Sequence, residues 1–205
     1  NMHCPHYSYR LFLLVFLFPF ALLGQSTDIY PEIGSSPYVL RCFLTHQDSV
    51  LTHAVAVGTP EGVNYAIDLK TMALLKLWKG KFADVEPMWG KRAGKPIKIS
   101  EKTLEFRNVN LLAASAKPLV FKGYELDSKG VPTFKYESDG ISYSEKYEVN
   151  PEKTGLIHTI TLAKGTFKEG MVKIAEAKSI AKGKKGIFVG DIGKFSVFVI
   201  NPVKS

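Results

Sequence analysis

Cysteine is nearly missing from this chain: Cys4 and Cys42 are the only two among 205 residues. Neither belongs to a CxxC or CxxCH pattern, which excludes a disulfide-dense scaffold, a thiolate zinc site and covalent haem attachment. Histidine is scarce too, with five residues and no HExxH pair. No GxSxG elbow, GxGxxG turn or P-loop occurs, and Gly183-Lys-Lys-Gly186 lacks the Ser or Thr and the helix that a phosphate cradle needs. Acidic residues are outnumbered, 19 against 27 Lys and Arg, for a net charge of +8. With 45% hydrophobic and 22% charged residues, disorder and collagen-like repeats are excluded. What remains is a globular chain long enough for one sizeable core.

One apolar run stands out, at the amino terminus. Arg10 precedes Leu11-Phe-Leu-Leu-Val-Phe-Leu-Phe-Pro-Phe-Ala-Leu-Leu23, and small residues follow it in Gly24-Gln25-Ser26. A cation, an apolar stretch and a small-residue cleavage region make a secretory signal peptide. A membrane span takes about 20 apolar residues, so this run is too short, and Pro19 interrupts it. The expectation is that residues 1–26 are removed after Gly24 or Ser26, with a retained anchor as the alternative. Residues 27–205 then form a single exported domain, periplasmic or extracellular, with no transmembrane segment. The mature chain keeps Cys42 alone, which forbids an internal disulfide and suits a buried, inert thiol.

From Tyr38 onward the apolar pattern has period two. Strands are predicted at 38–44, 52–58, 63–68, 73–79, 118–126, 132–137, 141–149, 155–163, 171–176, 186–190 and 194–200. Asp139-Gly140 asks for a tight hairpin, Ser128-Lys129-Gly130 for a slightly longer one, and Asn150-Pro151 for a strand end. In 141–149 Ile141, Tyr143, Tyr147 and Val149 share one face. In the next strand Leu156, His158, Ile160 and Leu162 point inward, making His158 a satisfied core histidine. The last strand, Phe195 to Ile200, is apolar on nearly both faces and should be interior. A short helical turn is allowed within 175–185. The fold class is all-β: an antiparallel β-sandwich, with a partly closed barrel as the alternative.

Residues 80–117 break the pattern as a long irregular loop, with Gly80, Gly90, Gly94, Pro87 and Pro96. Loops of this length inside compact domains are uncommon and often functional. Trp78, Asp84, Trp89 and Arg92 gather here and form the candidate ligand-binding set. Indole faces cover apolar C–H groups of a sugar while fixed polar groups read its hydroxyls. The same two Trp residues also suit plain core packing, because Trp is buried on average. The two readings require opposite exposures. Asp84 and Glu86 are the only paired carboxylates in this loop that suit glycosidic acid/base chemistry, although such pairs are commonly solvated or salt-bridged. No metal site, cofactor site or catalytic set is assigned. The C-terminal lysines (Lys164, Lys168, Lys173, Lys178, Lys182, Lys184, Lys185) suit anionic polymers or simple solvation. Nucleic acid is not expected as a partner.

Four segments in order also resemble a known type of domain: Ala54-Val-Ala-Val-Gly-Thr-Pro-Glu-Gly-Val-Asn-Tyr-Ala-Ile-Asp68, Leu75 to Asp84, Trp89 to Pro96 and Phe121 to Tyr136. Together they resemble an uncharacterised β-rich domain of exported bacterial proteins, which accompanies c-type cytochrome and glucose/sorbosone dehydrogenase-like modules. The resemblance extends over residues 38–163 and implies a setting of sugar oxidation or polysaccharide breakdown. It supplies no catalytic residue, and this chain carries neither the cytochrome motif nor the dehydrogenase module. The function expected is a secreted, non-catalytic accessory domain that binds carbohydrate or docks onto a c-type cytochrome or dehydrogenase-like partner. The alternatives are a glycan-active enzyme using Asp84 and Glu86, and a structural envelope protein contacting anionic polymers.

Overall fold

The computed structural model describes residues 27–90, 94–106, 118–164, 180–182, 188–192 and 195–204. Among these the chain forms twelve strands and one turn of helix. The first four strands are β1 (Tyr38–His46), β2 (Ser49–Gly58), β3 (Val63–Asp68) and β4 (Ala73–Lys79). Helix α1 (Glu86–Trp89) and β5 (Thr103–Glu105) follow. The middle group is β6 (Val120–Leu126), β7 (Pro132–Ser138), β8 (Ile141–Val149) and β9 (Leu156–Lys164). The chain closes with β10 (Ile180–Lys182), β11 (Phe188–Ile192) and β12 (Phe195–Lys204). The strand predicted at 171–176 lies outside the described residues. Within 175–185, the described residues Ile180–Lys182 are strand, not helix.

Five strands make one antiparallel meander, β1-β2-β3-β4-β5, and seven make a second sheet, β10-β11-β12-β9-β8-β7-β6. Both sheets stay open and pack face to face, so the fold is a β-sandwich and the barrel alternative does not apply. One pairing departs from the antiparallel expectation: β12 runs parallel to β9, with Val197 opposite Leu156. β12 is interior, between β11 and β9.

Turn chemistry sets the registers. Asp139 and Gly140 join β7 to β8 at φ 52° and 74°. Ser138 sits directly opposite Ile141. A two-residue loop with both φ angles positive matches the right-handed twist of the flanking strands, and Gly takes such an angle without a Cβ penalty. At the end of β8 the Asn150 side chain closes the turn, its Oδ1 accepting the Thr154 and Gly155 amides at 2.8 and 2.9 Å.

Alternation divides the first sheet into two apolar faces. Val55, Val57, Val63, Tyr65, Ile67 and Leu77 meet Phe134, Tyr136, Tyr143, Tyr147 and Leu156 of the second sheet. The opposite face carries Leu40, Cys42, Leu44, Ala54, Ala56, Ala66, Leu75 and Trp78, which pack against Phe82, Ala83, Val85 and Ile97. The 80–102 excursion is therefore a cover for the outer face of the first sheet. It carries α1, an isolated bridge between Asp84 and Lys98, and a bond from the Ile97 amide to the Phe43 carbonyl at 2.9 Å. The small Ala side chains of β2 and β3 let the cover lie close. Gly58, ending β2, shows how close: a Cβ there would stand 2.7 Å from Ile33 Cδ1 and 2.8 Å from the Phe82 ring.

Candidate ligand cleft

Of the four loop residues singled out from sequence, the three described ones, Trp78, Asp84 and Trp89, differ in exposure. Trp78 is wholly buried and stacks on Phe82, with ring centroids 6.1 Å apart. Its indole N–H donates to the Lys81 and Phe82 carbonyls at 3.0 and 2.7 Å. Of its two possible exposures it has the packed one. Asp84 is also buried, and its Oδ1 accepts the Ile29 amide at 2.7 Å and the Glu86 amide at 3.0 Å. That carboxylate holds backbone, and Glu86 belongs to the first turn of α1, not to a strand shared with Asp84. Trp89, at the end of α1, is 53% exposed. Arg92 lies outside the described residues, as do the lysines of the C-terminal region apart from the backbones of Lys164, Lys182 and Lys204.

A cleft of about 460 Å³ opens elsewhere, between the two sheets at one end of the sandwich. Three chain segments wall it: Ser35, Ser36 and Pro37 before β1, Thr59 to Glu61 in the β2–β3 turn, and Ser128 and Lys129 in the β6–β7 turn. Tyr65 of β3 and Tyr147 of β8, both buried, belong to its lining. Their rings are 5.1 Å apart and tilted by 41°. Val57, Glu148 and Val149 complete the inner lining. The walls are rich in hydroxyls and the interior in tyrosine.

Asp127 fixes the β6–β7 wall. Its Oδ1 accepts the Lys129 and Val131 amides at 2.8 and 2.9 Å, and its Oδ2 meets Lys146 Nζ at 2.9 Å. The Lys146 contact first, and the backbone amides with it, hold the Asp127 carboxyl down at about 2. Pro37 and Ser36 lie against this turn, where a Cβ on Gly130 would come within 2.9 Å of Ser36 Cβ.

Behind Tyr147 lies a buried polar cluster. Glu145 of β8 is 1% exposed and accepts bonds from the Tyr136 hydroxyl at Oε1 and from the Tyr147 hydroxyl at Oε2, the latter at 3.1 Å. His158 Nε2 lies 2.7 Å from the same Oε2, and the imidazole stacks on the Tyr147 ring at 4.1 Å. The Glu145 carboxyl thus has three polar partners, which is what a buried acid requires. Burial first, and the Glu145 charge second, push the Tyr136 and Tyr147 phenols well above their ordinary range. Both stay protonated donors at neutral pH. His158 is the satisfied core histidine that its strand parity predicted.

Tyr65 differs from its neighbour. Its ring is fully buried and its hydroxyl has no hydrogen-bond partner, while burial alone pushes its phenol upward. The remaining described histidines do not join the cluster. His46 ends β1, buried near Glu105 and Lys76, and His53 Nδ1 lies 2.9 Å from Thr52 Oγ1 on the exposed part of β2. Among the described residues no group of three His, Cys, Asp or Glu side chains is gathered as metal ligands. No described helix is long and apolar enough to cross a membrane.

Sequence reasoning missed Tyr65 and Glu145. Tyr65 gave no signal beyond an apolar letter in a predicted strand. Glu145 did give one: it shares parity with Tyr143 and Tyr147, so period two places an acid in an inward row, where it needs a partner. Set beside known proteins, the chain matches no protein-family model, no curated protein and no solved structure.

Proposed function

We propose that the protein is an exported, non-catalytic accessory domain that binds carbohydrate in the cleft between its two sheets. The observation that carries this reading is the cleft lining, with buried Tyr65 and Tyr147 beneath walls of Ser35, Ser36, Thr59 and Ser128. The wall hydroxyls of Ser35, Ser36 and Ser128, with Glu61, Glu148 and Lys129, offer both donors and acceptors to the hydroxyls of a sugar. A concave site with an apolar interior and a few convergent polar groups is the usual form of a small-molecule site. The apolar leader supports export, and the resemblance over residues 38–163 supports the carbohydrate class.

The test is isothermal titration calorimetry of residues 27–205 with neutral trisaccharides (maltotriose, cellotriose, xylotriose and mannotriose) and with trigalacturonate. Saturable heat with a neutral sugar is expected, without release of reducing ends over hours. No heat from any sugar would sink the reading.

A second reading concerns partners. Trp89 lies outside the cleft lining and is half in solvent, and an exposed Trp is a common anchor of protein interfaces. It favours docking of α1 onto a sugar oxidoreductase or c-type cytochrome. Trp89→Ala would then abolish capture of a purified partner and leave sugar binding unchanged.

A further inference from the structure

We propose that the Tyr65 hydroxyl is the specificity-determining polar contact of the cleft, a buried group that pairs with an uncharged oxygen of the bound ligand. This rests on the carbohydrate reading above and names which atom of the site selects the ligand.

Three observations carry it. Tyr65 lines the cleft and is fully buried, yet its hydroxyl has no partner. A buried polar group without a bond is rare in a native fold and carries a desolvation cost that a bound group would relieve. The second tyrosine of the lining is arranged oppositely: the Tyr147 hydroxyl already donates to Glu145. Of the two tyrosines in the lining, Tyr65 alone has a hydroxyl without a partner in the protein. Finally, Glu145 with its three partners lies behind Tyr147, and a second buried anion brought beside that carboxylate would be repelled. The ligand oxygen that reaches Tyr65 is therefore a hydroxyl, ring or glycosidic oxygen, and not a carboxylate or phosphate.

Tyr65→Phe removes one oxygen and keeps the ring, so it separates recognition from packing. Calorimetry with the neutral trisaccharide that binds wild type most tightly should show affinity reduced about tenfold, with trigalacturonate a poor ligand for both proteins. In the same experiment the ligand-free variant should melt at or above the wild-type temperature, because no internal bond is lost. Tyr147→Phe, which does lose one, should melt lower.

Affinity within about twofold of wild type, in a protein that binds sugar, would overturn the role of Tyr65 and leave the carbohydrate reading standing. A lower melting temperature for Tyr65→Phe would overturn it as well, since the hydroxyl would then be bonded within the protein. Tighter binding of trigalacturonate than of neutral sugars would refute the neutral-oxygen claim. Silence of wild type toward every probe would overturn the carbohydrate reading and this inference with it.

Discussion

Glu145 shows how one residue can hold part of a sandwich together and also endanger it. Its two oxygens receive Tyr136, Tyr147 and His158. Glu145→Ala would strand three polar groups in an apolar core, and should lower stability by about 3–5 kcal/mol in denaturant unfolding. Replacing the whole set (Tyr136→Phe, Glu145→Met, Tyr147→Phe, His158→Leu) should recover most of that loss, because no group is then left unpaired. If the fourfold variant is no more stable than Glu145→Ala, packing and not polar pairing dominates the site. Asp127 makes a prediction of opposite character, in the exposed β6–β7 turn. The Lys146 contact and the backbone amides hold its carboxyl at about 2, below the ordinary 3.8 of an aspartate. Its contribution is thus present above pH 3.8 and is lost as pH falls toward 2. Asp127→Asn should flatten the acid limb of a melting-temperature profile over that window and change little at pH 7 relative to its own low-pH value.

Between residue and molecule stands the question of which strand faces are covered. Period two identified the strands β1 to β4 and β6 to β9 to within a few residues, because each alternates or is continuously apolar between turn residues. Parity, however, only says which residues share a face. It does not say whether that face meets solvent, and this is why the sequence pattern alone could offer Trp78 and Asp84 as members of an open loop site. The 80–102 excursion folds back onto the first sheet, and this buries Trp78 and consumes Asp84 in holding Ile29 and Glu86. Small residues on β2 and β3 were the available sign that something lies close. The same contact yields a test. Gly58→Ala would force its new methyl against Ile33 and Phe82, and should cost about 1–3 kcal/mol through overpacking. A neutral effect in thermal unfolding would mean that the cover lifts freely from the sheet.

At the scale of the whole molecule, the sandwich was legible and its candidate site was not. Many short strands with Gly-rich turns dictate two packed sheets, since each apolar face must be buried against another. The cleft arises from segments far apart in sequence: the stretch before β1, the β2–β3 turn, the β6–β7 turn and the end of β8. No local pattern announces such a meeting. The parallel pairing of β9 with β12 carries a consequence of another kind, for the order of assembly. A nascent chain can build the five-stranded meander and the β6-to-β9 hairpins as each segment emerges, because every partner is a neighbour in sequence. The seam beside β9 stays open until residues near 197–204 arrive to fill it. Non-local pairings of this kind form late and slowly, so β12 should dock beside β9 only after the local hairpins of the second sheet have formed.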